Sequence, residues 1–158
     1  MSADALTHGI RITPFQLAQR FIGMREIPGR EHDSMILAML RLDDEWPDAD
    51  EVPWCSAFVN FTAWLLRLPR SKSLRARSWL RVGRAIALDD ARPGFDLVVL
   101  SRGQDPPGPE VIDAPGHVGW YAGHDADRIW LLGGNQGDTV SSAAFPRRRI
   151  LSVRRLDP

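Results

Sequence analysis

A single cysteine, Cys55, stands where an acidic, proline-punctuated stretch, DEWPDADEVPW, gives way to the apolar helical pattern SAFVNFTAWLLRL. A helix start presents unpaired N–H groups and the positive end of the helix dipole. Both favour a thiolate and predict a Cys55 pKa below the free value of about 8.5. A thiolate is a nucleophile, and a lone cysteine so placed needs a base. Of the four histidines, His8 falls in an N-terminal tail, His32 in a polar loop and His124 at the tip of an expected hairpin. His117 follows Pro115-Gly116 and opens a strand, so its imidazole is expected on a rigid element. It is the candidate general base, taking the thiol proton and returning a proton to a leaving amine.

The imidazole in turn needs a partner that sets its tautomer. If HVGWYAGH and RIWLLGGNQ pair across a turn at 125–127, His124 faces Arg128 and His117 falls opposite Asn135. Directly opposed residues have Cβ atoms about 5 Å apart, within reach of an amide–imidazole hydrogen bond. Asn135 is the favoured third residue, and a register slip of one would offer Gln136. The alternative for Asn135 is a turn residue that satisfies only backbone groups. A shared metal is not expected: His117 and His124 on one extended strand lie about 23 Å apart. No cofactor is predicted.

These residues must be positioned by elements that the local patterns mark. Thr13-Pro14-Phe15-Gln16 reads as a capping box with proline at the first helical position, opening a helix that Gly23 ends. A second helix is expected from Ser34 to Leu42. A third runs from Pro53 or Trp54 to Leu68, and a short one covers Arg77 to Gly83. From Asp96 the period changes. DLVVL, HVGWYAG, RIWLL, TVSSAAF and ILSVRRL read as short strands, and their close spacing after His117 favours antiparallel pairing. The Pro- and Gly-rich SRGQDPPGPEVIDAPG is an exposed loop leading into His117. The predicted class is α+β, with N-terminal helices packed on a small antiparallel β-sheet.

At 158 residues and 44% hydrophobic composition, the chain has the material for one domain with a core. Residues 1–12 read as a flexible tail. Twenty basic residues balance twenty acidic ones, so no global basic field points to nucleic acid. The runs PRSKSLRARSWLRVGR and RRRILSVRR read as solvated faces. One cysteine makes no internal disulfide, and neither a secretory signal nor a membrane span is evident. A monomer made in the cytoplasm is expected.

Taken in order, Pro53-Trp54-Cys55-Ser56-Ala57-Phe58-Val59-Asn60, Ala76-Arg77-Ser78-Trp79, Gly116-His117-Val118-Gly119 and Leu132-Gly133-Gly134-Asn135-Gln136 carry a resemblance. The chain resembles papain-like peptidoglycan hydrolases, the NlpC-type peptidases and the related cysteine, histidine-dependent amidohydrolase/peptidases (CHAP). The likeness runs from about Leu17, through REIPG, to the final RRRILSVRR.

It implies a papain-like catalytic domain over 1–158 that cuts amide bonds in the peptide part of the bacterial cell wall. Such enzymes serve as phage endolysins and as interbacterial toxins. By position Cys55 matches the nucleophile, His117 the base and Asn135 the polar third residue. One departure is Gly133, where many CHAP members carry a glutamate. Trp54, Trp79, Trp120 and Tyr121 are candidates for the walls of a substrate groove, with core packing the equal alternative for each, and Asp50 and Glu51 for orienting a substrate amine, with a solvated loop that complements the helix dipole the alternative. The implied partners are peptidoglycan and, for a toxin, an immunity protein. The implied site of action is the periplasm or wall, reached through a holin or a secretion system. A non-catalytic wall- or partner-binding module is the alternative, and a deubiquitinase-like or acyltransferase enzyme on the same scaffold is a third reading.

Overall fold

The structure, a computed structural model, describes residues 11–29, 31–43 and 53–157. His8, Asp50 and Glu51 lie outside the described residues. The first helix, α1 (Pro14–Gln19), opens on the predicted capping box: the Thr13 hydroxyl accepts from the Gln16 N–H, and the Gln16 side chain accepts from the Thr13 N–H. Helix α2 (Ser34–Leu40) is capped by Asp33, whose carboxylate accepts from the Met35 and Ile36 N–H groups. Helix α3 (Cys55–Leu65) begins at the cysteine itself. The predicted helix at Arg77 to Gly83 is a 3-10 segment over Ala76–Arg81.

Six strands follow: β1 (Arg84–Ile86), β2 (Asp96–Ser101), β3 (Gly116–His124), β4 (Arg128–Gly133), β5 (Ser141–Pro146) and β6 (Ile150–Arg155). They form one antiparallel sheet in the order β1-β6-β2-β3-β4-β5. The expected α+β class is the observed one. Strand β1 was not anticipated. It is only three residues long, without alternation, and exists by pairing Arg84 with Arg155 and Ile86 with Val153 of β6.

Both faces of the sheet are apolar. Toward the helices Leu97, Val99, Val118, Trp120 and Leu132 pack with Trp54, Phe58 and Trp79. On the other face Val98, Leu100, Tyr121, Ile129, Leu131 and Val153 form a second cluster. The alternation along β2 and β3 follows from the two-residue period of a strand. Helix α3 lies on β3, which carries its N-terminus to the strand bearing His117.

The β3–β4 hairpin differs from the predicted register at its tip. His124 pairs with Ile129 rather than Arg128, and an irregularity between Tyr121 and Gly123 absorbs one residue. Beyond it, Tyr121 pairs with Leu131 and Trp120 with Leu132, as counting along the ladder predicts. A bulge of this kind cannot be read from alternation, because it adds a residue without altering the apolar pattern on either side.

Candidate active site

His117 enters β3 behind a segment held from beneath. Arg77 is fully buried, and its guanidinium donates to the carbonyls of Pro107, Gly108, Val111 and Pro115. A planar donor fork is suited to gathering several carbonyls at once. It converts the Pro- and Gly-rich approach to His117 into a fixed loop. On β2, Leu100 pairs with His117 and Ser101 with Gly116.

The imidazole is 1% exposed. Its Nε2 lies 2.9 Å from Oε1 of Gln136. The amide of Gln136 is itself oriented, since its nitrogen donates to the Leu131 carbonyl at 3.1 Å and the Ser141 carbonyl at 2.6 Å. Carbonyls only accept, so the amide oxygen must face the ring, and His117 must carry its proton on Nε2 to donate to it. Nδ1 is thereby left with a lone pair. It is buried and has no hydrogen-bond partner.

The amide at the imidazole is that of Gln136, the alternative, and not that of the favoured Asn135. Asn135 adopts φ +56° in the turn after β4, and no hydrogen bond joins it to His117. Strand β4 ends at Gly133, so the ladder stops before the position that would set Asn135 against the histidine. The chain turns, and Gln136 returns beneath the ring. Gly133 is part of the arrangement: a Cβ there would stand 2.8 Å from Oε1 of Gln136.

Cys55 is 4% exposed, at the first residue of α3. Burial pushes its thiol pKa up, and this outweighs the backbone N–H groups of Val118, Ser56 and Cys55 and the charge of Arg102, which favour the thiolate. The expected depression is therefore overturned. The helix start does act in the predicted direction, but removing a charge from water costs more than a few peptide dipoles return. His117 is held down to about 4, chiefly by burial and against its hydrogen bond to Gln136, with Arg102 and Arg149 adding to the depression. Near neutral pH the resting pair is a thiol and a neutral imidazole. Cys55 and His117 are not hydrogen-bonded to each other. The thiol's neighbour on β3 is the N–H of Val118, one residue along from the histidine.

Of the two readings of the four aromatics, groove wall or core, the structure shows core. Trp54 donates to Glu26 at 2.6 Å, Trp79 to the Ser56 hydroxyl at 3.0 Å and Trp120 to the Thr62 hydroxyl at 3.0 Å; all three are fully buried. Tyr121 is 5% exposed, and its hydroxyl meets His124 Nδ1 at 2.7 Å. Indole and phenol groups are buried at little cost when their polar atom finds a partner, which is the case here. The arginines around the site were missed by the sequence reading. Arg149 belongs to a run taken for a solvated face, yet it lies over Phe145, whose ring is 5.0 Å from that of His117. Among the described residues no three His, Cys, Asp or Glu side chains converge where an ion could be held.

The fold is NlpC-like. A solved structure, NlpC1 from Trichomonas vaginalis, superposes with a TM-score of 0.54 at 17% identity, covering 90% of this chain and 42% of that one. The chain thus spans less than half the length of that relative. No family model and no curated protein matches the sequence.

Proposed function

We propose that the protein is a cysteine amidohydrolase of peptidoglycan peptides, with Cys55 as nucleophile, His117 as general base and Gln136 as the residue that orients the imidazole. The observation that carries this reading is the buried, unpartnered Nδ1 of His117, kept as a lone pair by the bond from Nε2 to an amide of fixed orientation. An imidazole that served packing alone would have no reason to leave one nitrogen unsatisfied.

In the proposed reaction Nδ1 takes the proton of Cys55 as the sulfur attacks a peptide carbonyl carbon. The resulting imidazolium protonates the departing amine, leaving a thioester, and water attacks this with His117 again as base. A neutral thiol–imidazole pair suits this order, in which proton transfer accompanies attack. Catalytic hydrogen bonds are often long in unliganded sites and tighten on substrate binding. The N–H groups at the start of α3 would face the oxyanion. The ordered motifs around Cys55, His117 and Gly133-Gly134 support the wall as substrate, and the role is that of a phage lysis protein or an effector delivered to another bacterium's wall.

A second reading, a wall- or partner-binding module that keeps the fold, is favoured by the low exposure of Cys55 and the raised pKa of its thiol. Digestion of purified peptidoglycan with wild type and Cys55→Ala, followed by mass spectrometry of the new termini, separates the two. New amine and carboxyl termini made by wild type alone are expected. A wall left intact by both proteins overturns the hydrolase.

A further inference from the structure

The end of β2 beside the imidazole carries positive charge that no carboxylate pairs directly among the described residues. Ser101 and the segment 103–106 line a cleft of about 350 Å³ together with Arg148 and Arg149. Arg149 is fixed on its inner wall: Nε donates to the Ser101 carbonyl at 2.8 Å, the Ser101 hydroxyl donates to the Arg149 carbonyl at 3.3 Å, and the guanidinium sits 5.6 Å over the Phe145 ring. That leaves its two terminal nitrogens free to bind. Arg102 and Arg148 bring two further guanidinium groups close enough to repel it, and the pKa of Arg149 is lowered by partial burial and by both of them. Among the described residues no carboxylate lies within ion-pairing distance of any of the three. Asp105 lines the same cleft without pairing.

Like charges gathered without a counter-ion are unfavourable in the free protein and become favourable when an anion completes them. We propose that Arg148 and Arg149, in the cleft at the end of β2, form a subsite for a carboxylate of the substrate peptide, with the charge of Arg102 adding to theirs. This rests on the hydrolase reading for its substrate, and stem peptides of the wall carry free carboxylates near their amide bonds. The subsite has a consequence for the chemistry. Arg102 and Arg149 both act to keep His117 unprotonated. A carboxylate seated among them offsets that charge and makes Nδ1 a stronger base when substrate is present.

The test uses Cys55→Ala protein, which holds substrate without turning it over, and a synthetic stem tetrapeptide with its carboxylates either free or amidated. Calorimetry is expected to give at least about tenfold tighter binding of the free acid, the worth of one charge-assisted hydrogen bond. The preference should disappear in Arg102→Gln/Arg148→Gln, two exposed positions. NMR titration of His117 should show its pKa rising with the acid and not with the amide. Equal binding of the two peptides by the protein with its arginines intact overturns the subsite. So does inorganic phosphate binding in the cleft while the free acid gains nothing over the amide. Neither result touches the hydrolase reading, which the wall digest with unmodified protein judges separately.

Discussion

Gln136 holds His117 from below through Oε1, 2.9 Å from Nε2, while the same amide's nitrogen is spent on the carbonyls of Leu131 and Ser141. The direction of every bond in this chain follows from two carbonyls that can only accept. The tautomer of His117 is therefore set by backbone atoms of β4 and β5, relayed through one side chain.

Removing that relay should cost catalysis more than stability. Gln136→Ala is expected to lower kcat roughly ten- to a hundredfold, the equivalent of one hydrogen bond to a group that becomes charged. Imidazole nitrogen NMR should show the Nε2–H form in wild type giving way to a mixture of tautomers. Asn135→Ala should leave both readouts near wild type. A loss from Asn135→Ala that Gln136→Ala does not show would move the third-residue role to Asn135.

Gly133→Ala tests the same relay without touching it. A Cβ at 2.8 Å from Oε1 leaves Gln136 no room in its present place. The expected outcome is an activity loss close to that of Gln136→Ala with the fold retained by circular dichroism. Gly133→Glu, which introduces a carboxylate at this position, should do no better, because the same space is taken.

The buried pair sets the pH dependence. His117 falls from an ordinary 6.5 to about 4 in the folded chain. Between those values the unfolded chain binds a proton that the native one refuses, so stability falls as the pH is lowered through the window. The full loss is about 3 kcal/mol. Cys55, raised by burial, acts at the other end: above about pH 9 the unfolded thiol ionises first, and stability falls as pH rises. Urea unfolding of wild type and His117→Asn from pH 4 to 7 should show a steeper acid slope in wild type than in the variant, which keeps only the slope of its carboxylates. Iodoacetamide should label the folded protein slowly at pH 7 and faster only at alkaline pH. Rapid labelling at neutral pH would mean that the thiolate is present at rest.

What could be read from the sequence was what local chemistry determines. Thr13 and Gln16 cap α1 through their own side chains, and His117 is marked as a strand entry by Pro115-Gly116. The apolar alternation of β2 and β3 survives in the sheet. What was not legible depended on residues distant in the chain. Trp54, Trp79 and Trp120 look like groove walls until Glu26, Ser56 and Thr62 arrive to satisfy their indoles in the core. The pKa of Cys55 follows burial, which no helix-start pattern reports. Asn135 and Gln136 are adjacent and chemically alike, and only the end of β4 at Gly133, with the turn after it, decides which amide reaches the imidazole.

Arg77 shows how far the site depends on a residue that never meets a substrate. Its four hydrogen bonds end on carbonyls spread over 107–115, and the segment delivers His117 to β3. Truncation to alanine leaves those carbonyls buried without a donor and opens a cavity, together costing about 3–5 kcal/mol. Arg77→Lys restores the charge but not the fork, since an ammonium cannot span the same set of acceptors, and should recover only part of the loss. The expected signature is local before it is global: limited proteolysis at pH 7 should cut between 102 and 115 in Arg77→Lys under conditions where wild type resists. Resistance equal to wild type would mean that the loop holds itself, and that the buried guanidinium is a passenger rather than its anchor.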